Sequence, residues 1–479
     1  MIQKVHYLMV EVNKAYIYIS GYEWGPGVSK VIVSLSHPVE NVKKDSDTIF
    51  TSKKERKIID IYLSNSKGYR VNENSSYVTL ELETYYDQDG SISPFSFNIP
   101  KLQNEWIDKY VIKASFHVTH DGKDSQLTID QDCINNRICE DTDQFNVRGT
   151  FSERYQNPKT KEEVLLTLHY AAYEPKELKG DKVKHPLIVW LNGQGEGGTD
   201  VEIALLGNKV TALAKPEIQK YFTSENGENG SYVLLVQCPT YWMDGGESDV
   251  YCKGDVESIY TNVLMNTINA YLAKNNDVDA NRIYIGGCSN GGYMAMNMVI
   301  KYPDMWAASY QTCTAYMFMV GKRDESGQYI IEEGAISPNQ VVQTDVRWFS
   351  EEKINIVKNI PLWIVHSATD KLVIPWRYAF PAYQELLKAG AKNAWFSYFE
   401  NVEGIDDKGV EYDGHWSWVR LFNDQVSTVQ DREKILHSTD MKYFGMVPCN
   451  RGGGCEKAKD EKGTYSSLFA WLNSQVKHH

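Results

Sequence analysis

The chain of 479 residues is too long for one ordinary hydrophobic core, so two domains are expected. With 42% hydrophobic and 24% charged residues it has the balance of a globular protein, and no apolar run approaches the length that spans a bilayer. A net charge of -13 without any Lys/Arg run argues against nucleic acid and against anionic membranes as partners.

The first six residues, Met1 to His6, lack the charged-then-apolar pattern of a signal peptide, which fits an intracellular protein or a trimmed chain. The terminal His478-His479 pair is natural or the remains of a tag. The eight cysteines point the other way. Cys133 and Cys139 are close in sequence, as are Cys449 and Cys455, and Cys238 and Cys252 flank one loop. Such pairs read as disulfide-closed loops of an oxidising compartment, so export is expected, with a cytoplasmic location left open. None of the spacings is CxxC, so no zinc site is expected.

Residues 1–142 read as an all-β domain. Short runs rich in β-branched and aromatic residues lie at His6–Val12, Tyr16–Ser20, Lys30–Leu35, Ile58–Leu63, Tyr77–Glu83 and Tyr110–Val118. Turn signals separate them, such as Gly25-Pro26-Gly27, Asn65-Ser66-Lys67-Gly68 and Asp87-Gln88-Asp89-Gly90. The pattern is that of an immunoglobulin-like β-sandwich. No residue in it points to catalysis.

Residues 143–479 have another grammar. Pro186–Leu191, Tyr232–Val236, Ile283–Ile285 and Pro361–Val365 are continuous apolar runs, as expected for strands covered on both faces. Between them the spacing predicts helices over Val256–Lys274 and Gly292–Tyr302, and then over Arg377–Ala389 with Gly390 as its stop. Alternating strands and helices imply a mostly parallel sheet wrapped by helices.

The strand Arg282–Gly286 leads directly into Gly287-Cys288-Ser289-Asn290-Gly291 and then into a helix. Strand, Gly-x-Ser-x-Gly, helix is the context of a nucleophile elbow, in which a sharp turn presents the serine at a helix N-terminus. A serine hydroxyl needs a base, and the base an orienting acid, here in the order Ser, Asp, His. Asp370 follows the strand Pro361–Val365, and His415 follows a further strand at Trp395–Phe399. Of the other histidines after Ser289, His366 lies on the strand side, His437 in a polar insertion and His478 at the terminus. The oxyanion donors expected are the backbone N–H groups of Asn290, directly after the nucleophile, and of Gln194. Gln194 belongs to the glycine-rich stretch Asn192-Gly193-Gln194-Gly195-Glu196-Gly197-Gly198, which lacks the Gly-Lys-Ser/Thr ending of a phosphate loop.

These segments resemble those of bacterial α/β-hydrolase esterases that carry an N-terminal immunoglobulin-like domain, the EstA type. The hydrolase half is similar to dienelactone-hydrolase and polyhydroxybutyrate-depolymerase-like esterases. The resemblance rests on Pro186–Gly193, Arg282–Gly292, Trp363–Asp370, His415-Trp416-Ser417-Trp418 and Leu468–Leu472, and at the front on Tyr22-Glu23-Trp24-Gly25-Pro26. It implies a carboxylic-ester hydrolase. The family commonly has His-Gly at the oxyanion loop where this chain has Asn192-Gly193, and the side chain there usually supports the loop by hydrogen bonding. The polar insertion between Trp418 and Leu468 is a pocket rim or a surface excursion, and residues 314–350 are a candidate lid or acyl-pocket element.

The reaction expected is hydrolysis of short to medium acyl or aryl esters through a covalent acyl-enzyme, with no metal or organic cofactor. Trp242, Trp416 and Glu196 are the candidate pocket residues. The competing readings are a serine peptidase of the prolyl-oligopeptidase type, although no propeller repeats precede the hydrolase half, and a non-catalytic carbohydrate-binding or adhesion protein. The sandwich is read as a stabilising or substrate-access domain, through which oligomers could form.

Overall fold

The computed structural model describes residues 9–52, 54–157, 160–223, 229–247, 252–334 and 340–477. The start of the strand expected at His6–Val12 and the terminal His478-His479 pair lie outside them. The chain divides into one unit of Met1–Phe97 with Asn104–Asp143 and another of Asn98–Gln103 with Gln144–His479.

The first unit is built almost wholly of antiparallel strands. Val12–Tyr22 pairs with Gly25–Val39, which pairs with Ser75–Leu82. Val111–His120 pairs with Lys123–Asp132 and with Asn41–Lys44. The strand Lys54–Leu63 joins the two groups. Its first four residues pair with Thr48–Thr51, and from Ile58 onward it pairs with Ser75–Leu82, with a register irregularity between Ile58 and Asp60. Gly25 opens the second strand, at φ 110°, so the turn expected at Gly25-Pro26-Gly27 lies instead at Glu23-Trp24. Alternation drives this unit: Ala15, Ile17 and Ile19 are buried, while the residues between them keep partial exposure.

The second unit is centred on an eight-stranded sheet. In chain order its strands are β1 (Val147–Gln156), β2 (Glu163–Tyr173), β3 (His185–Leu191), β4 (Tyr232–Gln237), β5 (Val278–Cys288), β6 (Ala308–Thr312), β7 (Leu362–Ser367) and β8 (Ala394–Phe399). Their spatial order is β1-β2-β4-β3-β5-β6-β7-β8. β2 runs antiparallel to both its neighbours, and β4 through β8 with β3 are parallel. The apolar runs read from the sequence are these parallel strands, and β3, β4, β6, β7 and β8 are buried along their whole length because helices cover both faces. β1 and β2 form an antiparallel hairpin whose alternating exposure marks a sheet margin.

The polar insertion after Trp418 covers the margin at β8. Gln430 N–H donates to the Phe396 carbonyl, Cys449 N–H to the Tyr398 carbonyl, and Tyr398 N–H to the Gly453 carbonyl. An uncovered β8 would present these groups as a template for another chain. The insertion is therefore an edge cover.

All eight cysteines carry free thiols, so the loops expected from Cys133/Cys139, Cys238/Cys252 and Cys449/Cys455 are not disulfide-closed. Six are buried and serve as small core residues. Cys133 Sγ, for example, faces the Gln131 carbonyl at 3.7 Å, and Cys252 Sγ lies 3.8 Å from the Tyr329 hydroxyl. Among the described residues no helix is long and apolar enough to cross a membrane.

Gln430 is buried, and its side-chain amide donates to the Val447 and Gly453 carbonyls and accepts from Val447 N–H, at 2.7–2.8 Å. Gln430→Leu strands all three backbone groups. A loss of about 2 kcal/mol or more is expected in the unfolding of the second unit, measured by denaturant titration followed by tryptophan fluorescence.

Candidate active site

β5 ends at Cys288, and the helix Asn290–Lys301 begins one residue after Ser289. Ser289 is thus the hinge of the turn, with φ 54° and ψ −115°, a conformation that costs a non-glycine residue roughly 1–3 kcal/mol. Three backbone bonds hold it there. Its N–H donates to the Thr312 carbonyl at 3.0 Å, and its carbonyl accepts from Tyr293 N–H at 2.9 Å and Ala315 N–H at 3.1 Å. The flanking glycines are required by close approach. A Cβ on Gly287 would lie 2.5 Å from the Gly291 carbonyl group, and one on Gly291 would lie 2.1 Å from the Leu191 carbonyl oxygen. Ser289 itself keeps partial exposure.

The second contact also brings the loop after β3 against the elbow. Gly193 lies beside Cys288, whose sulfur would be 3.2 Å from a Cβ at that position. Gln194 opens the short 3-10 turn Gln194–Glu196, and Asn290 is the first residue of the elbow helix. The first N–H groups of a helix have no acceptor within it, which suits both positions to an incoming anion. Asn192 props the loop from behind. Its amide donates to the Gly193 carbonyl at 2.7 Å and accepts from Cys238 N–H and Trp242 Nε1–H at 3.1 and 3.2 Å. Trp242 has no accessible surface, so it supports the loop and is not a pocket wall. Glu196 is buried, its carboxylate folded over Gly193 and against Gly207. Trp416 is half-buried and stacks on Tyr412 and Trp418.

Asp370 and His415 meet beyond the carboxyl ends of β7 and β8. His415 Nδ1 lies 2.9 Å from Asp370 Oδ2, and Asp370 Oδ1 accepts from Leu372 and Val373 N–H, both at 2.9 Å. A carboxylate only accepts, so the imidazole carries its proton on Nδ1 and leaves Nε2 as a base. Burial alone would raise the Asp370 pKa. The His415 charge and the hydrogen bonds from His366 and His415 outweigh it and hold the carboxyl well below its usual range. For His415 burial works against protonation, but the Asp370 charge and hydrogen bond, with Asp413 and Glu196 behind them, raise its pKa above the ordinary value.

Cys313 links the acid–base pair to the elbow. Its sulfur lies within 4.8 Å of ligand atoms of both Asp370 and His415, and the residue before it, Thr312, binds the Ser289 N–H. By element the three side chains are a metal-ligand set. Asp370 and His415 are already engaged with each other, however, and burial pushes the Cys313 thiol well up, away from the thiolate a metal needs. Neither Cys313 nor His366, which also binds Asp370, stood out in the sequence. A cysteine one residue past a strand end carries no signal, but a histidine four residues before a candidate acid at a strand end does.

Residues 14–126 match the family model of the esterase Ig-like N-terminal domain, and residues 265–403 match that of the prolyl oligopeptidase family. The second match spans Ser289 and Asp370 and ends before His415. Among solved structures, a thermostable esterase aligns with a TM-score of 0.60 at 21% identity, over 86% of this chain and 97% of its own. A ferulic acid esterase aligns at 0.34 and 12% identity, over 57% of this chain and 95% of its own. The acylaminoacyl peptidase of Pyrococcus horikoshii aligns at 0.33 and 16%, over 82% of this chain and 52% of its own. No curated protein matches the chain. Fold and family matches together define an α/β-hydrolase with an Ig-like domain in front. Its first unit matches the Ig-like domain found in front of esterases and its second matches the prolyl oligopeptidase family, the combination of an esterase of the α/β-hydrolase fold.

Gly414 sits where the histidine loop meets the acid loop, and a Cβ there would lie 2.1 Å from the Thr369 carbonyl carbon. Gly414→Ala must therefore displace His415 from Asp370. A fall of roughly a hundredfold in kcat is expected with the fold intact by circular dichroism.

Proposed function

We propose that Ser289, His415 and Asp370 form the catalytic triad of a carboxylic-ester hydrolase that works through a covalent acyl-enzyme. The observation that carries this reading is the hydrogen bond from His415 Nδ1 to the buried Asp370 carboxylate, tied to the positive-φ serine of the elbow through Thr312 and Cys313. Ser289 Oγ attacks the ester carbonyl while His415 Nε2 takes its proton. The tetrahedral oxyanion is held by the N–H groups of Asn290 and Gln194. Collapse expels the alcohol, which receives the proton from His415, and water then repeats the sequence on the acyl-enzyme. Short to medium acyl or aryl esters are the substrates proposed, with Trp416 as the aromatic neighbour of the site. The prolyl oligopeptidase match keeps peptide-like acyl groups in view. Cleavage of aminoacyl 4-nitroanilides at rates comparable with esters would favour that second reading.

Initial rates on 4-nitrophenyl esters from acetyl to long acyl test the main one. Ser289→Ala is expected to lower kcat by on the order of 10^4-fold or more, and a fluorophosphonate should add one adduct to the intact protein, at Ser289. Full activity in the alanine variant would remove the triad from the mechanism.

The base must be unprotonated to act, so activity falls as pH drops through the His415 pKa. Because that pKa is raised, the acid limb of kcat/KM should lie above that of an ordinary imidazole. In Asp370→Asn the carboxylate charge is gone, and the limb should move to lower pH while kcat falls about 10^4-fold. A pH profile of both proteins on one ester checks the sign.

A further inference from the structure

Asp370 Oδ2 serves two imidazoles. Besides His415 at 2.9 Å, His366 Nε2 approaches it at 3.1 Å, and the same nitrogen lies 2.8 Å from the Val373 carbonyl. His366 is the fifth residue of β7 and has no accessible surface. Both partners of its Nε2 are acceptors only, so Nε2 carries the proton and one N–H is shared between them. Its Nδ1 has no hydrogen-bond partner. An apolar ring would fill this space without leaving a buried nitrogen unpaired. The polar contacts that histidine does make all go to Asp370 and to the turn that carries it. Val373 closes that turn from the other side, donating its N–H to Asp370 Oδ1 while its carbonyl accepts from His366.

We propose that His366 is a positioning residue of the esterase triad: its Nε2–H clamps the Asp370 carboxylate to the Val373 turn and withdraws part of the charge that His415 would otherwise feel alone. The inference rests on the triad proposed above. The groups that face the pair from the surrounding elements are Cys313 after β6, Tyr378 before the helix Ala379–Lys388, Tyr398 on β8, Asp413 in the histidine loop and Glu196 in the oxyanion loop. Burial raises the Cys313 thiol and both tyrosine hydroxyls, which keeps them neutral through the working range. His366 is then the only side chain other than His415 that donates to the Asp370 carboxylate among the described residues.

Removing the clamp has two separable effects. The carboxylate loses one of its four restraints, and the looser hold on Oδ2 lowers kcat. Its charge falls undivided on His415, which then holds its proton to higher pH, so the acid limb of kcat/KM moves up.

His366→Gln, His366→Asn and His366→Leu test this. The glutamine amide reaches the place of Nε2, the asparagine amide stops at Nδ1, and leucine offers no donor. The glutamine variant should stay within about threefold of the parent in kcat with its acid limb unmoved. The asparagine and leucine variants should lose roughly tenfold or more in kcat, with KM nearly unchanged and the limb displaced upward. A purely structural role would lower the unfolding midpoint and leave the limb in place. The inference is overturned if the leucine variant keeps the parent's kcat and limb, or if glutamine is no better than leucine. Should the leucine variant not fold, the glutamine–asparagine comparison decides alone. Ser289→Ala and fluorophosphonate labelling, run alongside, separate the two levels. An active Ser289→Ala overturns the triad itself. An inactive one with indifferent His366 variants overturns only the clamp.

Discussion

A serine held at φ 54° between a strand and a helix is the constraint to which the rest of the hydrolase unit is fitted. The conformation is unfavourable on its own, so neighbouring elements must impose it. β6 takes the serine N–H, the elbow helix and the segment after Cys313 take its carbonyl, and glycines at 287 and 291 let helix and strand close on each other. Packing the helix so near β3 also sets where the loop after β3 can run, which holds Gly193 and Gln194 against the elbow. The parallel order of the central strands then delivers the acid and the histidine loops to the same edge of the sheet.

Electrostatics complete what geometry begins. Asp370 is a buried carboxylate that would be costly if unpaired, and all four of its hydrogen bonds come from its own turn, β7 or the histidine loop. That dense pairing keeps it ionised at depth. His415 takes the opposite bargain, since the charge that orients it also makes it a stronger base. Buried neutral groups, Cys313 among them, surround the pair without competing for its proton.

Much of this was legible in the residues. Continuous apolar runs located the parallel strands because burial on both faces leaves no polar position, as at Tyr232–Gln237. The elbow was readable because steric demand fixes glycine at two places. Gly390, with φ 88°, ends its helix as its position in the sequence implies. Less was legible where long-range contacts decide. The helix expected from Val256 starts only at Thr261, since Asp255 is drawn instead to Gly321 N–H and the Tyr329 hydroxyl. The β1–β2 hairpin was missed because its exposed face carries Arg148, Thr150, Ser152 and Arg154 in a simple alternation at the start of the second unit. Trp242 read as a pocket aromatic, but a side chain's direction is set by what it hydrogen-bonds, and its indole turns inward to Asn192. The cysteine pairs misled for a related reason: nearness in sequence does not bring two sulfurs to bonding distance.

The strand Lys54–Leu63 belongs to both groups of strands in the first unit. Its first four residues pair with one group and the rest with the other, so the two are coupled through one continuous segment of backbone. Such a unit melts as a whole, with few partly open forms that offer loose strand edges to a neighbour. Its ladders also join residues far apart in the chain, as Val12–Tyr22 does with Arg137–Ile138. Ordering such distant partners costs loop-closure entropy before any ladder forms, so assembly of the first unit is slow relative to a helical domain of the same size.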